Sequence, residues 1–344
     1  MSQSSSILIS TKELQVGFPI RKGPFKKDLL KAVDGISLNI PKGSFFGVVG
    51  ESGSGKTTLG RALLQAVPVT SGSAIYDDGE VRYDLGSVKG AELKDYRRRA
   101  QLIFQDPYAA LSPRMTVRDI IAEPLEVMGL TKTREETDAR VREVAATCRL
   151  NLEHLRRFPH AFSGGQRQRI SIARALVCGP RFVVADEAVA ALDVSIQADI
   201  LNLLKSLQRE LGITFLFISH DLSVVAHTCD HVAVMYLGRI VESAPTRDLF
   251  RAPRHPYTKA LFSAIPSLDP DDRGRAQVLS GEIPSPTNQP SGCTFHPRCP
   301  FATDLCKREA PRAEKDAAGH MVSCHHWREL STVAEPQRQA EPAE

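Results

Sequence analysis

Apolar residues recur along the chain in short, unbroken blocks, each closed by a polar or glycine break: Phe45–Val49, Leu102–Phe104, Phe182–Ala185, Phe215–Ile218 and His231–Leu237. Blocks this short, without alternation, predict strands buried on both faces. Between them, apolar positions spaced three and four apart, with charges in the gaps, predict helices over Leu59–Val67, Val117–Val127, Glu135–Arg149, Ile170–Val177 and Ile196–Leu211. Residues 7–49 add two strand-like runs, Ile7–Val16 and Ala32–Ile40, on either side of a basic loop with Lys22, Lys26, Lys27 and Lys31. Residues 71–102 alternate and carry Gly72, Gly79, Gly86 and Gly90, which predicts short antiparallel strands and turns. Arg239–Val241 pairs with the preceding block as a hairpin around Gly238. Strands alternating with helices read as an α/β fold with a parallel core, here with an antiparallel part and a long helical insertion. After Glu242 the pattern lapses and prolines crowd residues 252–300, a second and less regular module. The last residues, Ala334–Glu344, have a disordered composition.

Composition narrows this picture a little. A length of 344 residues suits one large domain with an appendage, or two domains, and 42% hydrophobic residues are enough for a core. Lysine and arginine number 44 against 40 acidic residues, and a net charge of +4 is too weak to argue for nucleic acid. No apolar run approaches a membrane span. Met1–Ser6 is polar and lacks the basic start and apolar core of a signal peptide, so a cytosolic protein is expected, peripheral if it serves a membrane.

The chemistry is concentrated at the breaks. Gly50-Glu51-Ser52-Gly53-Ser54-Gly55-Lys56-Thr57-Thr58 fits G-x-x-x-x-G-K-[ST], between a predicted strand and a predicted helix. Its glycines let backbone N–H groups turn inward around phosphate oxygens, at the positive end of the helix that follows. Lys56 can reach the β- and γ-phosphates, and the Thr57 hydroxyl can ligate Mg²⁺. Three other strands end in polar groups. Gln105 follows Leu102–Phe104; its amide can reach an ion and a water, or simply ends the strand. Asp186 and Glu187 close Phe182–Ala185, suited to the Mg²⁺ shell and to a general base for water respectively. His220 follows Phe215–Ile218 and suits either a γ-phosphate contact or a structural hydrogen bond. Ligands of open α/β sheets lie beyond the carboxyl ends of the strands, where all of these fall. Ser163 is a candidate N-cap for a helix opening with Gly164, Gly165 and Gln166, and two glycines there form an anion site rather than a good helix start. Phe18 can stack on an adenine or merely pack.

Taken together, these residues resemble the nucleotide-binding subunit of an ATP-binding cassette (ABC) transporter over about residues 7–260. Ser163-Gly164-Gly165-Gln166 looks like the cassette signature, and the loop at Gly50–Thr57, Gln105, the signature, Asp186-Glu187, Ala191-Leu192-Asp193 and His220 stand in the family's order. Phe18 sits where the family has its adenine-stacking aromatic. The resemblance implies a P-loop α/β cassette, with a RecA-like core, an antiparallel β subdomain and an α-helical insertion (about 103–175) within residues 1–255. A small irregular C-terminal domain (256–330) and a disordered tail (331–344) follow. It implies ATP bound by Phe18, Gly50 to Thr58 and the signature, Mg²⁺ held by Thr57, Gln105 and Asp186, and hydrolysis by Glu187, His220 and Gln105. One departure is visible: Ala188 and Ala190 stand where the family usually has Pro and Ser.

Pro107-Tyr108, Leu111-Ser112-Pro113-Arg114, Arg254-His255-Pro256-Tyr257-Thr258 and Gly281-Glu282-Ile283-Pro284-Ser285-Pro286 followed by Gly292-Cys293 look like the oligopeptide/dipeptide importer branch, which also handles nickel, glutathione and opine-like solutes. That resemblance implies a second cassette subunit (a paralogue), two membrane permease subunits and an extracytoplasmic solute-binding protein as partners, no nucleic acid, and a place on the cytoplasmic face of the membrane. The alternative is a soluble ABC ATPase of the DNA-repair or translation type, which usually carries two cassettes or a long insertion. Cys148, Cys178 and Cys229 read as buried apolar residues. Cys293, Cys299, Cys306 and Cys324 are spaced by five, six and seventeen residues. By themselves they suit a [4Fe–4S] cluster, a zinc ion or free thiols; the resemblance favours the cluster.

Overall fold

The computed structural model describes residues 6–21, 27–263 and 281–330. The expected tail at 331–344 lies outside them, as do Lys22 and Lys26 of the basic loop. In chain order the strands are β1 Ile7–Arg21, β2 Lys27–Ile36, β3 Asn39–Pro41, β4 Phe45–Val49, β5 Ser71–Asp77, β6 Arg82–Asp84, β7 Ala100–Ile103, β8 Phe182–Asp186, β9 Thr214–Ile218, β10 His231–Tyr236, β11 Arg239–Pro245, β12 Glu314–Lys315 and β13 Met321–Val322. The helices are α1 Lys56–Leu63, α2 Gly90–Arg99, α3 Pro107–Ala110, α4 Val117–Met128, α5 Arg134–Thr147, α6 Gly164–Leu176, α7 Val194–Leu211, α8 Leu222–Thr228, α9 Thr246–Arg251, α10 Pro256–Ser263, α11 Asp304–Arg308 and α12 Trp327–Leu330.

The central sheet has the order β12-β13-β11-β10-β4-β9-β8-β7. Its middle run, β10-β4-β9-β8-β7, is parallel throughout. Side chains alternate across a strand, and here the alternation sorts them into two cores. Phe45, Val49, Val183, Ala185, Phe215, Phe217, Val232 and Val234 face one core, which α4, α5, α6 and α7 cover. Phe46, Val48, Phe182, Val184, Leu216, Ile218, Ala233 and Met235 face the other, closed by α1, α2 and the second sheet. Burial on both faces explains why these strands read as continuous apolar blocks rather than as alternating ones. Phe45 stacks on Phe215 with ring centroids 4.6 Å apart, across neighbouring parallel strands.

The second sheet, β2-β1-β5-β6 with β3 on β1, is the expected antiparallel part. Three boundaries differ from the sequence reading. β1 and β2 run on as a long hairpin, so Lys27 and Lys31 lie on a strand and not in a loop. The run expected over Ala32–Ile40 is broken at Ser37 and Leu38, where β2 ends and β3 turns back to pair with β1 near Ile7. Residues 90–99, expected as strand and turn, form α2. Four glycines hid a proline-free stretch that buries Tyr96, packs Leu93 and puts Arg97, Arg98 and Arg99 at its carbonyl end, where the helix dipole favours cations. The helices expected over Val117–Val127 and Glu135–Arg149 are present as α4 and α5, and Cys148, Cys178 and Cys229 are buried.

The irregular C-terminal module is sewn onto the central sheet. β13 extends the sheet beside β11, and the fully buried Glu242 of β11 accepts hydrogen bonds from the backbone N–H groups of Arg254 (2.7 Å) and His255 (2.9 Å) and from Nε2–H of His320 (2.7 Å). Burial pushes His255 down to about 4, so it is neutral and its Nδ1 accepts the Tyr257 N–H. Replacing Glu242 with Ala strands two buried N–H groups and an imidazole, at a cost of about 3–5 kcal/mol. The expected outcome is a lower melting temperature and a C-terminal module that proteases release first, read by thermal denaturation and limited proteolysis.

Candidate nucleotide site

The carboxyl ends of β4, β9, β8 and β7 share one edge, because the four strands are parallel and in register: Val48 opposite Ile218, Asp186 opposite Ile218, Ala185 opposite Ile103. That register delivers the loop after β4, His220, Asp186-Glu187 and Gln105 to one place. The loop from Gly50 to Gly55 leads into α1, and Gly55, at φ +100°, is its N-cap. A Cβ on Gly50 would lie 2.1 Å from the carbonyl oxygen of Met235, and one on Gly55 2.1 Å from that of Ala32, so only glycine lets the loop close against β10 and β2. Lys56 is buried and donates to the carbonyls of Gly50 (2.8 Å) and Glu51 (2.9 Å). Burial lowers its pKa, while Glu187, Asp186 and Glu51 oppose that shift.

A cavity of about 310 Å³ opens over this loop, with Ser52, Gly53, Gly55, Lys56, Thr57 and Thr58 in its floor. Phe18 and Glu187 line it too, so the half-exposed Phe18 of β1 stands at the same cavity as the phosphate loop. A second cavity, of about 340 Å³, has Thr57, Gln105 and Asp186 in one wall. The Thr57 hydroxyl donates to Asp186 Oδ1 at 3.0 Å. Burial raises the Asp186 pKa and the Thr57 hydrogen bond lowers it. A hydroxyl, a carboxylate and an amide oxygen facing one space are hard oxygen donors of the kind Mg²⁺ takes. Glu187 stands between two partners: Gln105 Nε2–H donates to one carboxylate oxygen at 2.6 Å, and His220 Nδ1 lies 3.2 Å from the other. Its backbone sits at φ +48°, an uncommon conformation for a residue with a side chain, and His220 beside it is exposed. After it, turns from Glu187 to Ala190 and Val189 to Leu192 carry the chain through Ala188 and Ala190 to Asp193.

Ser163 caps α6 as expected. It forms a reciprocal capping box with Gln166: Ser163 Oγ accepts from the Gln166 N–H at 3.4 Å and Gln166 Oε1 from the Ser163 N–H at 3.1 Å. A Cβ on Gly165 would meet Ile196 Cγ2 at 2.5 Å. None of Ser163 to Gln166 lines the cavity over the phosphate loop.

Four residues at this loop were not expected there from the sequence, where Tyr257 and Pro286 stand only within the motifs that resemble the importer branch. The Tyr257 hydroxyl accepts the Glu51 N–H at 2.9 Å. Arg298 grips the Glu51 carboxylate with both terminal nitrogens, at 2.7 and 3.0 Å. Pro286 lines the cavity over the loop, and Gln289 Nε2 donates to the carbonyls of Lys31 and Leu237. All come from the C-terminal module. A carboxylate inside an anion-binding loop signals that a cation must answer it, but not which of 44 lysines and arginines does.

Cys293, Cys299, Cys306 and Cys324 line one small void of about 10 Å³, beside His255 and His296. Burial pushes the Cys299 thiol up to about 11 and Cys324 to about 12, and raises Cys293 as well. Among the described residues no group of three or more histidine, cysteine or acidic side chains is set to hold an ion as it stands. The donor set suits a soft, thiolate-bound group.

Residues 33–190 match the family model described as ABC transporter, and residues 241–306 match that of the oligopeptide/dipeptide transporter C-terminal region. A peptide import ATP-binding protein of Brucella ovis is 51% identical over 295 residues, 86% of this chain and 92% of that protein. The oligopeptide transport ATP-binding protein AppF of Bacillus subtilis is 44% identical over 325 residues, 92% of this chain and 97% of that one. Among solved structures, the ATP-binding cassette MJ0796, in a dimeric post-hydrolysis state bound to ADP and Pi, superposes with a TM-score of 0.61 at 26% identity, over 70% of this chain and 99% of that one. CbiO1 of Clostridium perfringens, part of an ABC transporter complex, gives 0.61 at 26% identity, over 71% and 91%. The chain is an ATPase and belongs to the ABC transporter family, as one of its ATP-binding subunits.

Proposed function

We propose that this subunit couples ATP hydrolysis to the import of di- or oligopeptides, or a related small solute, through two membrane permease subunits. The observation that carries the chemistry is Glu187, held between Gln105 and His220 at the mouth of the phosphate loop. The peptide solute rests on the names of relatives 44–51% identical over nearly their full length and on the match at 241–306. These relatives import or transport, which leaves the DNA-repair and translation alternative without support.

On this reading Phe18 stacks on the adenine, and the N–H groups of Gly50, Glu51, Ser52, Gly53, Ser54, Gly55, Lys56, Thr57 and Thr58 surround the phosphates. Lys56 swings from the carbonyls of Gly50 and Glu51 onto phosphate oxygens. Thr57, Asp186 and the amide oxygen of Gln105 hold Mg²⁺, which supplies charge neutralisation at the β- and γ-phosphates. Glu187 takes the proton from the attacking water, oriented by Gln105, and His220 turns to the γ-phosphate. Catalysis is then mainly positioning and charge stabilisation. Ser163, Gly164, Gly165 and Gln166 cap the nucleotide of a second cassette subunit, a paralogue of this one. Residues 1–255 form the ATPase domain and 256–330 the accessory module. The assembly sits on the cytoplasmic face of the membrane and is fed by an extracytoplasmic solute-binding protein.

The four tail cysteines are the ligands of a [4Fe–4S] cluster, with zinc the runner-up, in support of which all four thiols face one void. Loading requires deprotonating thiols that burial holds protonated, so retention falls as pH falls.

Three outcomes test this. Glu187→Gln keeps ATP binding and lowers hydrolysis by about 10²–10⁴-fold, measured by nucleotide binding and phosphate release on the assembled complex; full turnover with both sites equivalent would remove Glu187 as base. Affinity purification of the native chain brings down two integral membrane proteins, and peptides presented by the binding protein stimulate ATPase activity; a soluble complex without membrane subunits would overturn the importer reading. Anaerobic purification yields a coloured protein with about four irons per chain, and Cys324→Ser loses them; a sample free of both iron and zinc would end the thiolate-site reading.

A further inference from the structure

Glu51 is an electrostatic anomaly. It places a carboxylate in the loop that must accept a triphosphate, close enough to Lys56 to act on its charge. It is held away from that role by the C-terminal module. Arg298 is 6% exposed and binds both Glu51 oxygens, at 2.7 and 3.0 Å, in the forked geometry that suits a carboxylate. The Tyr236 hydroxyl lies 3.5 Å from the same guanidinium, whose carbon is 5.9 Å from the Tyr236 ring. Tyr257, fully buried, accepts the Glu51 N–H and so fixes the backbone at the same residue. Arg298 itself is fixed on a short turn, His296–Arg298, lying between Cys293 and Cys299.

We propose that Arg298 is a positioning residue for ATP binding: by neutralising and holding Glu51 from the C-terminal module, it keeps a carboxylate off Lys56 and out of the triphosphate's way. Without Arg298, Glu51 is a half-released anion beside the only lysine of the loop. It would swing to Lys56, compete with the phosphates for that ammonium, and repel the nucleotide. The accessory module is thereby part of the nucleotide site of its own chain.

The test exploits the sign of the charge. Arg298→Met keeps the side chain's bulk and removes the cation. We expect its Kd for ATP·Mg²⁺, measured by titration calorimetry on the full chain, to rise about tenfold or more, an effect of the size expected for one unscreened charge near a polyanion. KM for ATP rises in parallel and kcat falls less. Combining it with Glu51→Gln, which removes the charge Arg298 answers, brings the affinity of the double variant back toward wild type. A double variant as weak as Arg298→Met alone, or weaker, would overturn the proposal, because a purely structural loss is not repaired by a second change. Should Arg298→Met not fold, Arg298→Gln carries the same test: its Kd should also rise about tenfold, and adding Glu51→Gln should bring it back toward wild type. No recovery in that pair would count equally against the proposal.

Discussion

The structure turns on the closeness of three backbones. The phosphate loop after β4 passes so near β10 and β2 that a methyl group at Gly50 or Gly55 would lie 2.1 Å from the carbonyl oxygens of Met235 and Ala32. This contact joins the parallel core to the antiparallel sheet. Gly238, in the β10–β11 turn, adds to the seam: its N–H donates to Ser54 and its carbonyl accepts from Asp34. The loop is therefore fixed by main chain on both sides before any ligand arrives. Its N–H groups then meet phosphate with little ordering left to perform, which is what an anion site built from backbone requires.

The second organising constraint is charge. Three carboxylates, Glu51, Asp186 and Glu187, stand close enough to Lys56 to act on its charge, at a site that must receive a polyanion. Each is restrained differently. Thr57 donates to Asp186, Gln105 and His220 flank Glu187, and Arg298 pairs with Glu51. The first two restraints leave their carboxylates facing the cavities where a metal and a water would come. The third removes its carboxylate from the site. On the proposed reading two acids are kept for chemistry while one is kept away from it, and the difference lies in which element supplies the partner: the strand-end edge itself for two, the C-terminal module for one.

The parallel core and the ligand-facing strand ends were legible because burial on both faces leaves apolar blocks, and because a polar residue closing such a block has few places to be. Gln105, Asp186, Glu187 and His220 could be assigned to one edge without knowing the strand order, since every parallel strand of a sheet ends on the same side. α2 was not legible, because glycine spacing outweighed the single buried Tyr96 that anchors the helix. The β1–β2 hairpin was obscured by lysines that read as loop. The contact of Arg298, Tyr257 and Pro286 with the loop was illegible for a different reason: they reach it across hundreds of residues from a module without periodicity, and only a folded chain states such a pairing. The void shared by Cys293, Cys299, Cys306 and Cys324 is the reverse case, in which residue type and number were plain and only their convergence needed coordinates.

The signature residues complete the argument by where they are not. The Ser163–Gln166 capping box satisfies the N–H of Gln166 and that of Ser163, leaving the N–H groups of Gly164 and Gly165 without partners inside the helix. Those donors, at the positive end of a 13-residue helix, suit an anion. Yet the wall of this chain's own phosphate cavity contains none of the four. A helix start prepared for phosphate but not turned to its own nucleotide makes sense if it serves another. On the proposed reading each subunit holds the base and phosphates of one ATP and finishes the site of its partner. Hydrolysis then depends on bringing two chains together, which is how a soluble reaction becomes a movement that membrane subunits can use.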